Sequence, residues 1–265
     1  MSLTAVRFLV PGAVAGIVSY AFSRVMIEPL IGAAVDYEGA REHAESQLAG
    51  GEHDHGHEVF TRAVQENVGA AVGVVVFGIV MGVLFAVAYN AIRTVLGRRG
   101  ITPDSTGLAL ALSAGMFVVI VLVPSLKYPA NPPTVGLEDT IGARSSSFLA
   151  ITVVSVVGAC VAVAAGLAWS RRWGAWRATG VAAGGYVAVM LCAMALLPSF
   201  HEVPGPLSGP DGLVLGGFPA EVLAEFRLYS LVNQALLWMV IGVTWACLAA
   251  VPRMSAKDLV GMRKQ

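Results

Sequence analysis

Long runs of uncharged residues constrain this chain more than any other feature of its sequence. A helix needs about 20 apolar residues to cross a bilayer. Five runs meet that length, at residues 67–92, 105–126, 145–170, 178–200 and 228–252. A sixth span is predicted at about residues 5–27, where Arg24 lies near the end and its charge can reach the interface. The sequence therefore predicts an all-α, polytopic transmembrane bundle in which residues 1–265 form a single membrane domain.

The first of these spans has a competing interpretation as a cleaved signal peptide, which would leave five spans. Arg7 precedes the apolar region, and Gly32, Ala33 and Ala34 offer small residues for cleavage. However, the apolar run at residues 8–23 is longer than a usual signal core of about 7 to 15 residues. We therefore expect a span that is retained.

The distribution of lysine and arginine predicts an orientation. Basic residues cluster in alternate connections and at both ends: Arg7, Arg93, Arg98, Arg99, Arg171, Arg172, Arg177, Arg253, Lys257, Arg263 and Lys264. Segments 28–66, 127–147 and 201–226 instead hold nearly all acidic residues and every histidine. Because connections rich in lysine and arginine face the cytoplasm, we expect a protein of the bacterial inner membrane with both termini in the cytoplasm and these three loops on the outer side.

A metal-binding role is predicted for the segment that follows residue 50. It places three histidines at alternate positions among acidic residues: Glu52, His53, Asp54, His55, His57 and Glu58. Alternate side chains of an extended backbone face the same way, so the three imidazoles can converge on one ion. A solvated polar loop without a ligand is the competing interpretation. Residues 29–49 just before it predict a surface helix, which carries His43, and His201 beside Glu202 is a further possible ligand.

Polar residues at the predicted span ends are candidates for an ion pathway. They are Glu28, Asn67, Arg227, Tyr229, Asn233 and Gln234. Polar groups in hydrocarbon cost free energy unless they are paired or hydrated. They line a hydrated route in one interpretation and only hydrogen-bond helices together in the other.

Packing signals recur along the spans. Glycines spaced four residues apart let helix backbones approach closely in lipid, and they occur as Gly12/Gly16, Gly69/Gly73, Gly78/Gly82 and Gly180/Gly184. The similar sequences at 122–127 and 196–201, each ending a span at a proline, suggest a duplicated helical hairpin; proline simply ending a helix explains them equally. Cys160, Cys192 and Cys247 are expected to be small buried apolar residues.

Several motifs together resemble a known family of predicted cobalt transporter subunits, CbtA. They are Glu28-Pro29-Leu30, the loop histidines, Tyr128-Pro129-Ala130-Asn131-Pro132-Pro133, Gly217-Phe218-Pro219-Ala220 and Glu225-Phe226-Arg227 with Ser230. The resemblance implies a membrane protein for cobalt uptake, connected with cobalamin biosynthesis and with a second, small single-span protein that bears histidines. It also implies five spans, one fewer than the hydropathy predicts.

The expected function is therefore uptake of a divalent transition metal, with Co²⁺ as substrate and the first outer loop as collector. Imidazole and carboxylate suit several such metals, so Co²⁺ rests on the resemblance. A non-conducting accessory or sensor subunit is the alternative, and a membrane metalloenzyme a third. We expect no enzyme, because no metal site is paired with an evident general base, and no nucleic-acid partner. Without a phosphate-binding loop, ATP-driven work requires another chain.

Overall fold

The computed structural model describes residues 3–49, 69–210 and 212–250, and these are mainly helical. The first half contains α1 (Leu3–Met26), α2 (Glu28–Ala49), α3 (Ala70–Arg98), α4 (Ser105–Phe117), a π-helical segment (Val118–Leu122) and α5 (Val123–Lys127). The second half contains a 3-10 turn (Glu138–Thr140), α6 (Ile141–Trp173), α7 (Ala175–Leu196), strands β1 (Leu207–Gly209) and β2 (Gly212–Leu215), and α8 (Ala220–Ala250).

Six helical segments of the described chain are long and apolar enough to cross a membrane. They are Phe8–Met26, Ala70–Arg98, Ser105–Lys127, Glu138–Trp173, Ala175–Leu196 and Ala220–Ala250. The prediction of an all-α protein with six spans is thereby confirmed. The surface helix expected at 29–49 is also confirmed as α2, which is not among the candidate spans because many of its side chains are polar or charged.

Residues pack into two compact units, and α1, the 105–127 segment and α8 each contribute to both. Unit 1 holds the described residues of 1–20, 70–115 and 236–265, and unit 2 those of 21–69 and 116–235. Aromatic side chains form the centre of unit 1, where the Trp245 ring lies 5.6 Å from Phe85 and 5.1 Å from Tyr89. Such offset and edge-on contacts add to the stabilisation that comes from burying the rings.

Two of the predicted glycine pairs bring α1 and α3 together in unit 1. A Cβ atom placed on Gly78 would lie 2.7 Å from both the Gly12 carbonyl oxygen and the Gly16 Cα. One placed on Gly82 would lie 2.6 Å from the Gly12 Cα. Only hydrogen fits at these positions, so the backbones touch as the small-residue pattern predicts.

The other glycine pairs do not share this role within the described chain. No atom outside the local helix comes within 4 Å of a Cβ placed on Gly73, Gly180 or Gly184. The three cysteines are likewise exposed rather than buried, which corrects the expectation made from their apolar surroundings. A membrane protein can present small apolar side chains to lipid, since lipid is as apolar as a protein core.

In unit 2, α6 and α7 form a tight helical hairpin. Gly174 alone connects them, with φ +79°, a conformation that glycine adopts at little cost. Near the middle of the hairpin the buried Ser155 hydroxyl donates to the Val119 carbonyl in the π-helical segment, at 2.5 Å. Tyr186 lies 2.7 Å from the same hydroxyl. Because the serine has one proton, which goes to Val119, the tyrosine is the donor in that pair.

Candidate functional site

Polar side chains of unit 2 gather where α2, residues 128–137 and residues 197–219 pack together. We call this region the loop face. Its apolar centre is a buried cluster of Ala34, Val135 and Phe218. The Tyr37 ring meets Phe218 edge-on, with centroids 5.1 Å apart. One residue from each segment thus contributes to a common core, which holds α2 against both loops.

Side chains of α2 then fasten the segment 197–219. Tyr37 donates from its hydroxyl to the Gly216 carbonyl at 3.2 Å, and Arg41 donates to the Gly205 carbonyl at 2.9 Å. The Arg41 guanidinium also forms an ion pair with Glu45, one helical turn along, at 2.8 Å. Both loop carbonyls are therefore satisfied by α2, because residues four apart share a helix face.

Glu202 joins the two loops of the face. One of its carboxylate oxygens accepts from the Leu137 backbone N–H at 3.0 Å and from the Thr140 hydroxyl at 2.8 Å. The Arg144 Nε lies 3.5 Å from the same oxygen. The Leu137 hydrogen bond first, then Thr140 and the Arg144 charge, outweigh the effect of burial and lower the pKa of Glu202. Glu202 therefore stays ionised and is occupied in fixing the fold.

Arg144 in turn supports the backbone opposite Glu202. Its guanidinium donates to the Val135 carbonyl at 3.3 Å and to the Leu137 carbonyl at 3.1 Å. Gly136 lies between them at φ +132°, and a Cβ there would collide with the guanidinium. Glycine is required at this position both by its backbone angle and by the space that Arg144 occupies.

An open cleft of about 480 Å³ lies between α2 and the two loops. Its lining is rich in carboxylates and contains one histidine: Tyr37, Glu38, Arg41, Glu42, Glu45, Thr134, Gly136, Leu137, His201, Glu202, Val203, Pro204 and Gly205. Since Glu45 and Glu202 are paired with arginines, the free ligand-type groups of the lining are the exposed His201, Glu38 and Glu42. Partial burial, followed by repulsion from Glu42 and Glu138, raises the pKa of Glu38.

The β-hairpin packs against the last part of α2. A Cβ placed on Gly209 in β1 would lie 2.7 Å from a Leu48 methyl group. Because glycine has no Cβ, β1 can approach Leu48 closely at this position. Leu48 is the residue before Ala49, where α2 ends.

The predicted metal ligands are distributed unevenly over the structure. The segment with Glu52, His53, Asp54, His55, His57 and Glu58 lies outside the described residues, as does Asn67. His43 is exposed on α2 and is not among the residues that line the cleft, whereas His201 is. Within residues 3–49, 69–210 and 212–250, no three histidine, cysteine or acidic side chains stand close enough to hold a metal ion.

The pathway candidates that the structure describes all lie in unit 2. Arg227 donates to the Asn131 side-chain oxygen at 2.8 Å, while its Nε is buried without a partner. The Asn233 side-chain oxygen is likewise buried and unpaired. Tyr229 contacts Phe22 edge-on at 6.4 Å, and Glu28 and Gln234 are half-buried. Among the candidates that the structure describes, only Arg227 has a partner that ties a loop to a span.

Sequence reasoning missed the residues that hold the loop face together. Contacts with residues far away along the chain are made by Tyr37, Arg41, Arg144 and Asn131. A single signal was available: a charged Arg144 next to a predicted span needs a partner, although its identity is not readable from the sequence.

Comparison with known proteins gives a match at the level of a family. Neither a curated protein nor a solved structure matches the chain. The sequence profile of the family described as probable cobalt transporter subunit (CbtA) matches residues 4–250, which is nearly the whole chain. This protein therefore belongs to the probable cobalt transporter subunit (CbtA) family.

Proposed function

We propose that this chain is the membrane subunit that takes up a divalent transition metal, Co²⁺ in the first instance, and that the loop face receives the metal. The observation that carries the proposal is the position of the cleft. Glu38 and Glu42 of α2 and His201 of the facing loop line it. α2 ends at Ala49, four residues before His53. Metal held by the histidine segment is thus close along the chain to a second set of oxygen and nitrogen ligands.

The side chains of the cleft suit transient binding of a metal ion better than tight binding. Carboxylate and imidazole are ligands for divalent transition metals, yet the described side chains do not form a closed three-ligand set. A weak and open site releases its ion readily. The proposal therefore assigns tight capture to His53, His55 and His57, with Glu52, Asp54, Glu58 and His43 adding ligands or negative charge, and places His201 with the cleft.

From the cleft the ion has to reach the spans. Asn233, with its buried unpaired oxygen, Gln234, Tyr229, Glu28 and Asn67 are the proposed pathway residues. Arg227 is positively charged and paired with Asn131, so in this scheme it bounds the route and fixes the loop rather than binding the metal. The proposal places the loop face outside the bacterial inner membrane and both termini in the cytoplasm, on the charge distribution.

A non-conducting accessory or sensor subunit is the second candidate. It is favoured by one observation, the lack of any three-ligand cluster among the described parts of the six candidate spans. The word subunit in the family description implies a partner. The proposed partner is a small, single-span protein that bears histidines, and uptake for cobalamin biosynthesis is the proposed role.

Uptake measurements on purified protein in liposomes test the first proposal against the second. We expect Co²⁺ to enter liposomes that contain the chain, alone or with its small partner, and the triple change of His53, His55 and His57 to alanine to slow entry at low external Co²⁺. Asp36→Ala, on α2 but outside the cleft lining, is the control and should leave entry unchanged. Co²⁺ binding without entry, with or without the small partner, would favour the accessory role.

A further inference from the structure

The turn between α6 and α7 is held at a membrane surface by its own geometry. α6 ends at Trp173 and α7 begins at Ala175, so Gly174 is the whole connection. Each of the two helices is a candidate membrane span. Because a one-residue turn is too short to extend far beyond the bilayer, the residues on either side of Gly174 lie at the level of the lipid head groups.

This turn carries positive charge that the hairpin does not neutralise. Arg171 and Arg172 occupy the last turn of α6, and Arg177 the first turn of α7. No acidic residue occurs anywhere between Asp139 and Glu202. All three arginines are exposed, and none forms a hydrogen bond or ion pair with another described residue. Three cations therefore stand together at head-group depth without a counter-charge from the helices that carry them.

A groove lies beside these arginines. It has a volume of about 440 Å³ and is lined by Trp173, Trp176, Arg177, Gly180 and Val181. Trp176 is 88% exposed and Trp173 is 48% exposed, so both indole rings are available to a ligand. No atom approaches a Cβ placed on Gly180, which leaves the apolar end of the groove open along α7.

We propose that this groove binds an anionic phospholipid of the bilayer, with its phosphate at Arg177 and an acyl chain along Gly180 and Val181. Arginine presents a planar fork of donors that matches phosphate oxygens, and Arg171 and Arg172 add attraction for a net negative head group. Tryptophan is favoured at this depth because its ring is apolar while its N–H is polar. A free phosphate ion would use the same arginines but would leave the apolar end of the groove empty.

The site is separate from the loop face and does not depend on the proposed transport function. α6 and α7 run from Ile141 to Trp173 and from Ala175 to Leu196, and the loop face begins beyond their other ends. The lipid would fasten the α6–α7 hairpin to the surrounding bilayer. Its binding can therefore be measured as a gain in thermal stability, without any assay of transport.

Thermal unfolding of the full chain in mild detergent tests the proposal. We expect phosphatidylglycerol to raise the midpoint at lower concentration than phosphatidylcholine, and inorganic phosphate at equal concentration to have no effect. Changing Arg171, Arg172 and Arg177 to glutamine should raise the half-maximal lipid concentration by about fivefold for each arginine lost, since each basic residue near a lipid surface contributes about that factor. Arg98→Gln removes an exposed arginine at the end of another candidate span, α3, and measures the general attraction of one surface arginine for the lipid. Because Arg98 does not line the groove, this change should raise the half-maximal concentration less than Arg177→Gln does.

Equal responses to the two lipids, or an unchanged preference in the triple variant, would overturn the proposal. Stabilisation by inorganic phosphate alone would show an anion site rather than a lipid site. If the triple variant does not fold, quenching of tryptophan fluorescence by phosphatidylglycerol with brominated acyl chains gives a second test in the unaltered protein. The quenching should exceed that by brominated phosphatidylcholine and should fall in Trp176→Phe; equal quenching by both lipids would contradict the site.

Discussion

The Tyr128 hydroxyl donates a hydrogen bond of 2.6 Å to the Pro198 carbonyl, so the ends of the two similar span sequences touch each other. Beside it, Lys127 donates to the Ser199 hydroxyl at 2.7 Å, and the Tyr128 and Phe200 rings lie 6.0 Å apart. The two sequences differ in backbone. Residues 123–127 are helical, whereas α7 ends at Leu196 and Leu197 is extended. The two similar sequences thus contact each other, but they do not adopt the same local structure.

Removing this hydrogen bond tests how much it contributes to the stability of the protein. Tyr128→Phe keeps the ring and deletes the hydroxyl, which leaves the Pro198 carbonyl without its partner. We expect a loss of about 1 kcal/mol in unfolding free energy, typical of one hydrogen bond, measured by denaturant titration of the purified protein. Tyr229→Phe is the control, because the Tyr229 ring contacts Phe22 while its hydroxyl bonds no described residue, and its unfolding free energy should not change. An unaltered midpoint for Tyr128→Phe would mean that water replaces the bond.

Acidic pH should loosen the loop face through Glu202. Its folded-state pKa lies below the ordinary value of 4.5. Its stabilising contribution is therefore complete above that value and is lost as the pH falls through the lower, folded-state pKa. We expect the melting temperature of the unaltered protein to drop more steeply below about pH 4.5 than that of Glu202→Gln, which has no charge to lose. Parallel curves for the two proteins would contradict the assigned role.

The two kinds of glycine pair should respond oppositely to alanine. Gly78→Ala forces a methyl group against the backbone of Gly12 and Gly16, and overpacking of this kind costs about 1 to 3 kcal/mol. Gly184→Ala meets open space and, since alanine favours the helix, should be neutral or slightly stabilising. Unfolding free energies of both variants in the same detergent provide the comparison. Equal losses would point to a second contact at Gly184.

The substitution Asn233→Leu distinguishes a role of Asn233 in the ion pathway from a structural role. Its side-chain oxygen is buried without a partner, so an apolar replacement removes an unsatisfied group and should not lower the melting temperature. If Asn233 lines the route, Co²⁺ uptake per folded molecule should fall. If it instead joins helices, stability should drop by roughly 0.6 kcal/mol with uptake preserved. Both quantities are measured on one preparation.

The proposed orientation can be checked by cysteine labelling in a variant that lacks Cys160, Cys192 and Cys247. A cysteine at Gln47, exposed on α2, should react with an impermeant thiol reagent in intact spheroplasts. A cysteine at Ile101, which is 46% exposed in the connection after α3, should react only after the membrane is opened. The reverse pattern would place the loop face in the cytoplasm and would exclude collection of external metal.

The membrane architecture could be predicted from the amino-acid sequence alone. Whether 20 neighbouring residues are apolar enough to enter a bilayer is a local property, so the six spans and the polar helix α2 were readable from composition along the chain. The family was readable too, because its motifs are short and contiguous. Gly12, Gly16, Gly78 and Gly82 were predicted to pack for the same reason, from their spacing alone.

Which of these signals form contacts, and where the polar groups meet, depends on how distant segments pack. The Gly180/Gly184 pair has the same spacing as Gly78/Gly82, yet only the latter meets a neighbour within the described chain. Glu202 and Arg144 are 58 residues apart, and the sequence around one does not predict the other as its partner. A hydrophobic run predicts that a helix lies in the membrane, but it does not predict which face of that helix packs against which neighbouring helix. That choice depends on packing between distant segments, and it is what creates the cleft beside α2.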